Sequence, residues 1–191
     1  MQSTKTSPTI YWSQLAHSEW RLYVAATDKG LCFVGGNNQP FDEAAAWGKS
    51  YCKASAWIRD DKKLQPYVTE LIEYFQGKRD RFTLPVDRRG TAFQQAVWDA
   101  LGTIPYGETR SYSEIADLIQ KPSAVRAVGT AIGANPVLIG IPCHRVIGKN
   151  GTLTGYRGGL EMKTKLLQLE KTHSRDGGNM LHDEAACGTY C

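Results

Sequence analysis

The sequence predicts an α+β protein. A small N-terminal domain with an antiparallel sheet and helices precedes a C-terminal, mostly helical helix-turn-helix domain, which carries a cysteine-bearing strand and loop. Three observations predict this. Residues 9–34 alternate apolar and polar at the two-residue period of half-buried strands. Residues 111–133 read as a capped helix, a proline stop and a second helix. Between them, Pro85-Val86-Asp87-Arg88-Arg89-Gly90 follows neither period and reads as a linker. With 41% hydrophobic residues, the 191-residue chain suffices for one sizeable core or two small ones. The expected division is 1–87, 88–171 and a loosely ordered tail, 172–191.

In chain order, strands are predicted at 9–15, 20–26 and 31–34, with Asp28-Lys29-Gly30 as a hairpin turn. Helical spacing follows at 41–52 and 64–76, the second with Pro66 in its first turn and Gly77 as its stop. A helix over 91–102 opens the second domain. Ser111-Tyr112-Ser113-Glu114 is a capping box ahead of Ile115, Leu118 and Ile119. Lys121-Pro122 ends that helix, because a residue before proline avoids the α region, and Ser123 is placed to cap a second helix over 124–133. The apolar run 137–147 reads as a strand. The final helix, 160–170, turns Leu166, Leu167 and Leu169 inward, with Glu170 on nearly the same face as Leu166 and Leu167. A carboxylate at a helix C-terminus is disfavoured by the dipole, so it either finds a specific partner or sits in a frayed last turn.

Two features carry chemistry. Ile141-Pro142-Cys143-His144-Arg145-Val146 sets a thiol beside an imidazole, and cysteine is a strong nucleophile only as the thiolate. Upstream, Val125, Val128 and Ile132 face the core while Ser123, Ala127, Thr130 and Ala134 face outward with Arg126 beside them. Small side chains would let this helix approach a nucleic-acid backbone closely, even in a minor groove ~6 Å wide. An ordinary helical hairpin with an Ala-rich solvated face fits the same pattern. Charge adds to the first reading: residues 88–175 hold 12 Lys+Arg against 6 Asp+Glu, while 1–87 are nearly balanced at 11 against 10.

Five cysteines, an odd number, and no hydrophobic leader predict reduced thiols and a cytoplasmic setting, or a nuclear one in a eukaryote, with no secretion. No 18-residue apolar run is present, so no membrane span is expected. His17, Cys32 and Cys52 match no standard ligand spacing. His182, Cys187 and Cys191 could chelate a soft metal or belong to an unstructured extension, and no metal site is predicted.

Six ordered segments carry a resemblance: Phe93-Gln94-Gln95-Ala96-Val97-Trp98, Ile104-Pro105-Tyr106-Gly107, Val125-Arg126-Ala127-Val128-Gly129, Asn135-Pro136-Val137, Ile141 through Gly148, and Gly155-Tyr156-Arg157-Gly158-Gly159-Leu160. Together they resemble the O6-alkylguanine-DNA alkyltransferases, densely over the C-terminal region and more loosely before it. The resemblance implies minor-groove binding of duplex DNA containing alkylated bases, flipping of the damaged guanine, and irreversible transfer of its O6-alkyl group to the protein. O4-alkylthymine would be a lesser substrate. A monomer without cofactor would act once.

It also implies roles. Cys143 would be the nucleophile; His144 would take its proton through a water; Glu170 would polarise His144. Tyr112 would protonate the departing guanine, and Asn135 would bridge the turn before the cysteine, where a plain Asx-turn is the simpler reading. Arg126 would fill the gap left by the flipped base. Ser123, Ala127, Thr130 and Arg145 would contact DNA, and Tyr156, Arg157 and Lys163 would edge the pocket. Arg157 stands where the resemblance leads one to expect a smaller residue, and would either restrict larger alkyl groups or add a phosphate contact. An alkylation-lesion sensor or a DNA-binding regulator would use the helix-turn-helix but leave Cys143, His144 and Glu170 idle. A cysteine hydrolase would need an oxyanion hole and would turn over repeatedly.

Overall fold

The computed structural model describes residues 9–52 and 56–176. Three strands form as the alternation predicts: β1 (Ile10–His17), β2 (Trp20–Thr27) and β3 (Gly30–Val34), joined by antiparallel pairing. Gly30 at the second turn is obligatory. Its φ is +148°, and a Cβ there would lie 2.4 Å from the Pro85 carbonyl oxygen.

The sheet is mixed, not purely antiparallel. A fourth strand, β4 (Trp57–Arg59), pairs in parallel with β1 to give the order β3-β2-β1-β4. Its three residues are too short for a period-two signal, so the pattern did not reveal it. Helices cover both faces. α1 (Phe41–Cys52) lies on one, where Phe33, Ala25 and Ala44 pack with Phe41 and Trp47. α2 (Asp61–Phe75) lies on the other and packs Leu64, Leu71 and Tyr74 against Leu15 and Leu22. α2 begins three residues earlier than predicted because the Asp60 carboxylate accepts from the Lys63 amide, which places Pro66 inside the helix and not in its first turn.

The segment 85–87 is not a free linker. Leu31 N donates to Pro85 O and Asp87 N to Leu31 O, so this stretch pairs with the outer edge of β3. Further along the same edge, Val34 bridges Val137. β3 is therefore covered by backbone from both sides of the predicted boundary, and an edge strand protected in this way joins the two halves. One apolar core runs through both, from Trp20, Leu22 and Leu71 to Trp98, Leu101, Ile115, Val128 and Leu166.

The second half holds α3 (Ala92–Gly102), α4 (Tyr112–Leu118) and α5 (Val125–Gly133). Ser111 and Glu114 form the predicted reciprocal capping box. Ser123 does not cap α5: Pro122–Ala124 is a 3-10 turn, and no side chain caps the helix. Two short strands, β5 (Arg110–Ser111) and β6 (Val146–Ile147), pair in parallel. The last helix, α6 (Leu160–Asp176), runs six residues past Glu170, so residues 172–176 of the expected tail are helical. The rest of that tail, with His182, Cys187 and Cys191, lies outside the described residues. No helix among the described residues is long and apolar enough to cross a membrane.

Candidate active site

The predicted strand over 137–147 is a strand only at its end. After the bridge at Val137, the chain turns through Ile139, a β-branched residue at φ +69°. Such a backbone costs roughly 1–3 kcal/mol and persists only where its surroundings enforce it. Here Ile141 N donates to Val137 O and Cys143 N to Ile141 O at 2.7 Å. Cys143–Arg145 then form a single 3-10 turn. At three residues per turn, successive side chains diverge by about 120°, which sends Cys143, His144 and Arg145 to different neighbours.

Cys143 is 3% exposed. The Asn135 amide donates to its Sγ at 3.0 Å and to Ile141 O at 3.0 Å, while the Asn135 side-chain oxygen accepts from Val137 N at 2.9 Å. The last contact is the simple Asx-turn; the amide contacts add the bridge. Burial pushes the thiol pKa up, partly opposed by the Asn135 hydrogen bond and by the positive charges of Arg157 and Lys163. A thiol held neutral in this way needs a proton acceptor.

His144 and Glu170 supply a buried pair, both 0% exposed. His144 Nε2 lies 2.7 Å from Glu170 Oε1, while His144 Nδ1 is buried with no hydrogen-bond partner among the described residues. Burial lowers the imidazole pKa, with Glu170 opposing it. Burial would raise that of Glu170, but the His144 hydrogen bond and the Arg145 guanidinium outweigh it and hold the carboxyl at about 2.

Arg145 is a correction. Expected on the DNA side, it is 6% exposed and turned inward: Nε and one terminal nitrogen donate to Glu170 at 2.9–3.1 Å, and the other donates to Ile104 O at 2.6 Å. An arginine this committed leaves no donor fork for a phosphate.

Lys163 is also interior. It is fully buried, its Nζ donating to Val146 O at 2.6 Å and Thr154 O at 2.9 Å, so it ties the 146–154 loop to α6 and does not edge an open pocket. Arg157 is half-buried, with its guanidinium committed to partners within the protein. Its guanidinium pairs with Glu43, donates to Val34 O, Asn135 O and Pro136 O, and lies over the Phe33 ring.

Tyr156 has its hydroxyl buried without a partner, within electrostatic reach of Cys143. Tyr112, at the start of α4, accepts at its hydroxyl from Thr154 Oγ1 at 2.9 Å, which leaves its own proton free to donate outward. Ser123, in the turn before α5, and Arg126, Ala127 and Thr130 on α5 are all exposed on the surface.

Two contributors escaped sequence reasoning. Tyr74, from α2, donates to Glu170 Oε1 at 2.6 Å, and the Gly107 amide donates to Oε2 at 3.0 Å. Tyr74 reads in sequence as a core-facing aromatic, and nothing local marks its hydroxyl. Among the described residues, no three His, Cys, Asp or Glu side chains are arranged to hold a metal ion.

The chain was compared with known proteins. Residues 92–172 match the family model described as the 6-O-methylguanine DNA methyltransferase DNA binding domain, and residues 10–88 match the ribonuclease-like domain of the same enzyme. A relative from Bacillus subtilis, the inducible methylated-DNA–protein-cysteine methyltransferase, is 59% identical over 169 residues, 88% of this chain and 94% of its own.

The chain belongs to the 6-O-methylguanine DNA methyltransferase family.

Among solved structures, this methyltransferase resembles Mycobacterium tuberculosis OGT in complex with DNA, with a TM-score of 0.74 and 42% identity over 85% of this chain and 94% of that one. The O6-methylguanine-DNA methyltransferase of Pyrococcus kodakaraensis, at 19% identity and a TM-score of 0.66 over 85% of this chain and 99% of its own, shares the fold. The methyltransferase family thus spans both halves of the chain, with the cysteine turn, α5 and Glu170 inside the DNA-binding match and Tyr74 inside the other.

Proposed function

We propose that this protein repairs DNA by direct reversal, moving the alkyl group of O6-alkylguanine, and less readily that of O4-alkylthymine, to Cys143 in one irreversible turnover. The observation that carries this reading is a neutral, buried thiol next to an imidazole whose Nδ1 is free and whose Nε2 is anchored on Glu170.

The proposed steps use these residues in turn. The protein binds duplex DNA as a monomer through the minor groove. α5 and the turn before it present the small residues Ser123, Ala127 and Thr130 to the backbones, and Arg126 enters the stack as the lesion is flipped out. The proton of Cys143 passes through a water to His144 Nδ1, and the imidazolium so formed is stabilised by Glu170. The sulfur attacks the alkyl carbon in line, an S–C bond forms and the C–O6 bond breaks. The electron pair leaves with guanine, which takes a proton from Tyr112, held in place by Thr154. Asn135 positions the sulfur, and Tyr156 lines the pocket wall. The thioether product is inert to water, so no second turnover follows. A sensor or regulator would leave the whole Cys143–His144–Glu170 arrangement without work.

The test is the intact-protein mass after incubation with a short duplex carrying one O6-methylguanine. The expected result is one added methyl, saturating at one equivalent and mapping to Cys143, with Cys143→Ala binding the duplex but gaining no mass. Continued turnover, or methyl on another residue, would refute the reading.

A further inference from the structure

Tyr74 reaches the site from the N-terminal half, 70 residues before His144 in sequence. Its ring is packed among Phe75, Phe82 and Tyr106. A phenylalanine would fill that space, so packing does not account for the hydroxyl. Nor does Glu170 need it as a donor, since Arg145, His144 and Gly107 already serve both carboxylate oxygens. The adjacent Tyr106 makes the contrast: its hydroxyl, also buried, meets no partner at all.

What the Tyr74 hydroxyl does follows from proton accounting. It donates to Glu170 Oε1 at 2.6 Å and lies 3.3 Å from His144 Nε2. With its hydrogen committed to the carboxylate, it offers only lone pairs to the imidazole. Both polar neighbours of Nε2, the carboxylate and the phenol oxygen, are then acceptors. Nε2 must carry the hydrogen, and in a neutral imidazole Nδ1 is left bare.

We propose that Tyr74 is a positioning residue for alkyl transfer, its hydroxyl shared between Glu170 and His144 so that His144 stays in the tautomer able to accept the Cys143 proton. This rests on the transfer reading above. It also makes the first half of the chain part of the reaction machinery, although the nucleophile and the other proposed catalytic and DNA-contact residues lie in the second.

A second consequence concerns basicity. The groups facing His144 are Glu170 and Lys163 from α6, Arg145 from its own turn, and Tyr74 from α2. Glu170 favours the imidazolium; Arg145 and Lys163 disfavour it. By drawing on Oε1, the Tyr74 hydroxyl weakens the pull of Glu170 and keeps His144 neutral.

The experiment uses the full chain and its Tyr74→Phe variant, which keeps the ring. Single-turnover methyl transfer from the O6-methylguanine duplex is followed from about pH 5 to 9. The two proteins should agree within about twofold on the alkaline side. On the acid side the variant should be about tenfold slower, its limb moved up by about one pH unit. Superimposed profiles would overturn the proposal and reduce Tyr74 to packing, and so would a uniform loss at every pH with the His144 ring still a single Nε2-protonated tautomer. If the unsubstituted protein transferred no methyl, the transfer reading itself would fail. The Tyr74 contact would then be judged by long-range nitrogen–proton spectra of the His144 ring. A single Nε2-protonated tautomer in the parent that mixes or titrates higher in Tyr74→Phe supports the contact, and identical spectra overturn it.

Discussion

Five donor atoms converge on Glu170: His144 Nε2, the Tyr74 hydroxyl, two nitrogens of Arg145 and the Gly107 amide. They come from the cysteine turn, from α2 and from the loop at Gly107, so no run of sequence spells the cluster. The carboxyl is held at about 2 against an ordinary 4.5, even though burial alone would raise it. A carboxyl depressed in the folded state binds fewer protons there than in the unfolded chain. Its stabilisation is therefore complete above the unfolded value and is lost as pH falls toward 2, on the order of 3 kcal/mol in all. Glu170→Gln removes that contribution and leaves Arg145 buried without a counter-charge. Denaturant unfolding should show it about 3–5 kcal/mol less stable than the parent at neutral pH, with the gap narrowing as pH falls below 4.5. A gap independent of pH would show that the Glu170 charge is not what anchors Arg145.

At the scale of elements, strong local chemistry was legible. The capping box at Ser111 and Glu114 set the start of α4, and the core spacing of Val128 and Ile132 set the inward face of α5. Where a signal was weak or competed with another, the prediction slipped. The predicted strand through Cys143 became a turn and a 3-10 step, because a residue as apolar as those of a strand can equally serve a buried turn. The exposed face of α5 offers a test of its own. Arg126→Ala should leave the reactivity of Cys143 toward a small thiol reagent unchanged while slowing transfer from duplex DNA by roughly 10- to 100-fold, since base extrusion costs a few kcal/mol. Equal losses in both assays would place Arg126 in folding and not in flipping.

Across the whole molecule, the edge of β3 is the seam. Val86 and Val137 pair with it, and Arg157 fastens it by donating to Val34 O, Asn135 O and Pro136 O while pairing with Glu43. The guanidinium thus joins α1, β3 and the turn that holds Asn135 over the thiol. Arg157→Ala leaves three carbonyls and a carboxylate short of a donor and should cost about 2–4 kcal/mol in denaturant unfolding. Glu43→Gln keeps the carbonyl contacts and should cost about 1 kcal/mol. Equal effects of the two substitutions would show that the ion pair alone carries the seam.

The sequence by itself determined the α+β class, the three strands with the hairpin turn at Gly30, and the helix-turn-helix. These depend on period, capping and composition, which act over a few residues. The tertiary structure alone decided the partners of the long charged side chains. Arg145, Arg157 and Lys163 read as DNA-facing or pocket-edge cations, because burying a charge is costly and a chain read one residue at a time cannot show the compensating acceptor. Each found one elsewhere along the chain: Glu170 and Ile104 O for Arg145, Glu43 and Val34 O for Arg157, Val146 O and Thr154 O for Lys163. Tyr74 is the same case in reverse, an apolar-looking core residue whose hydroxyl matters only because packing brings it to Glu170.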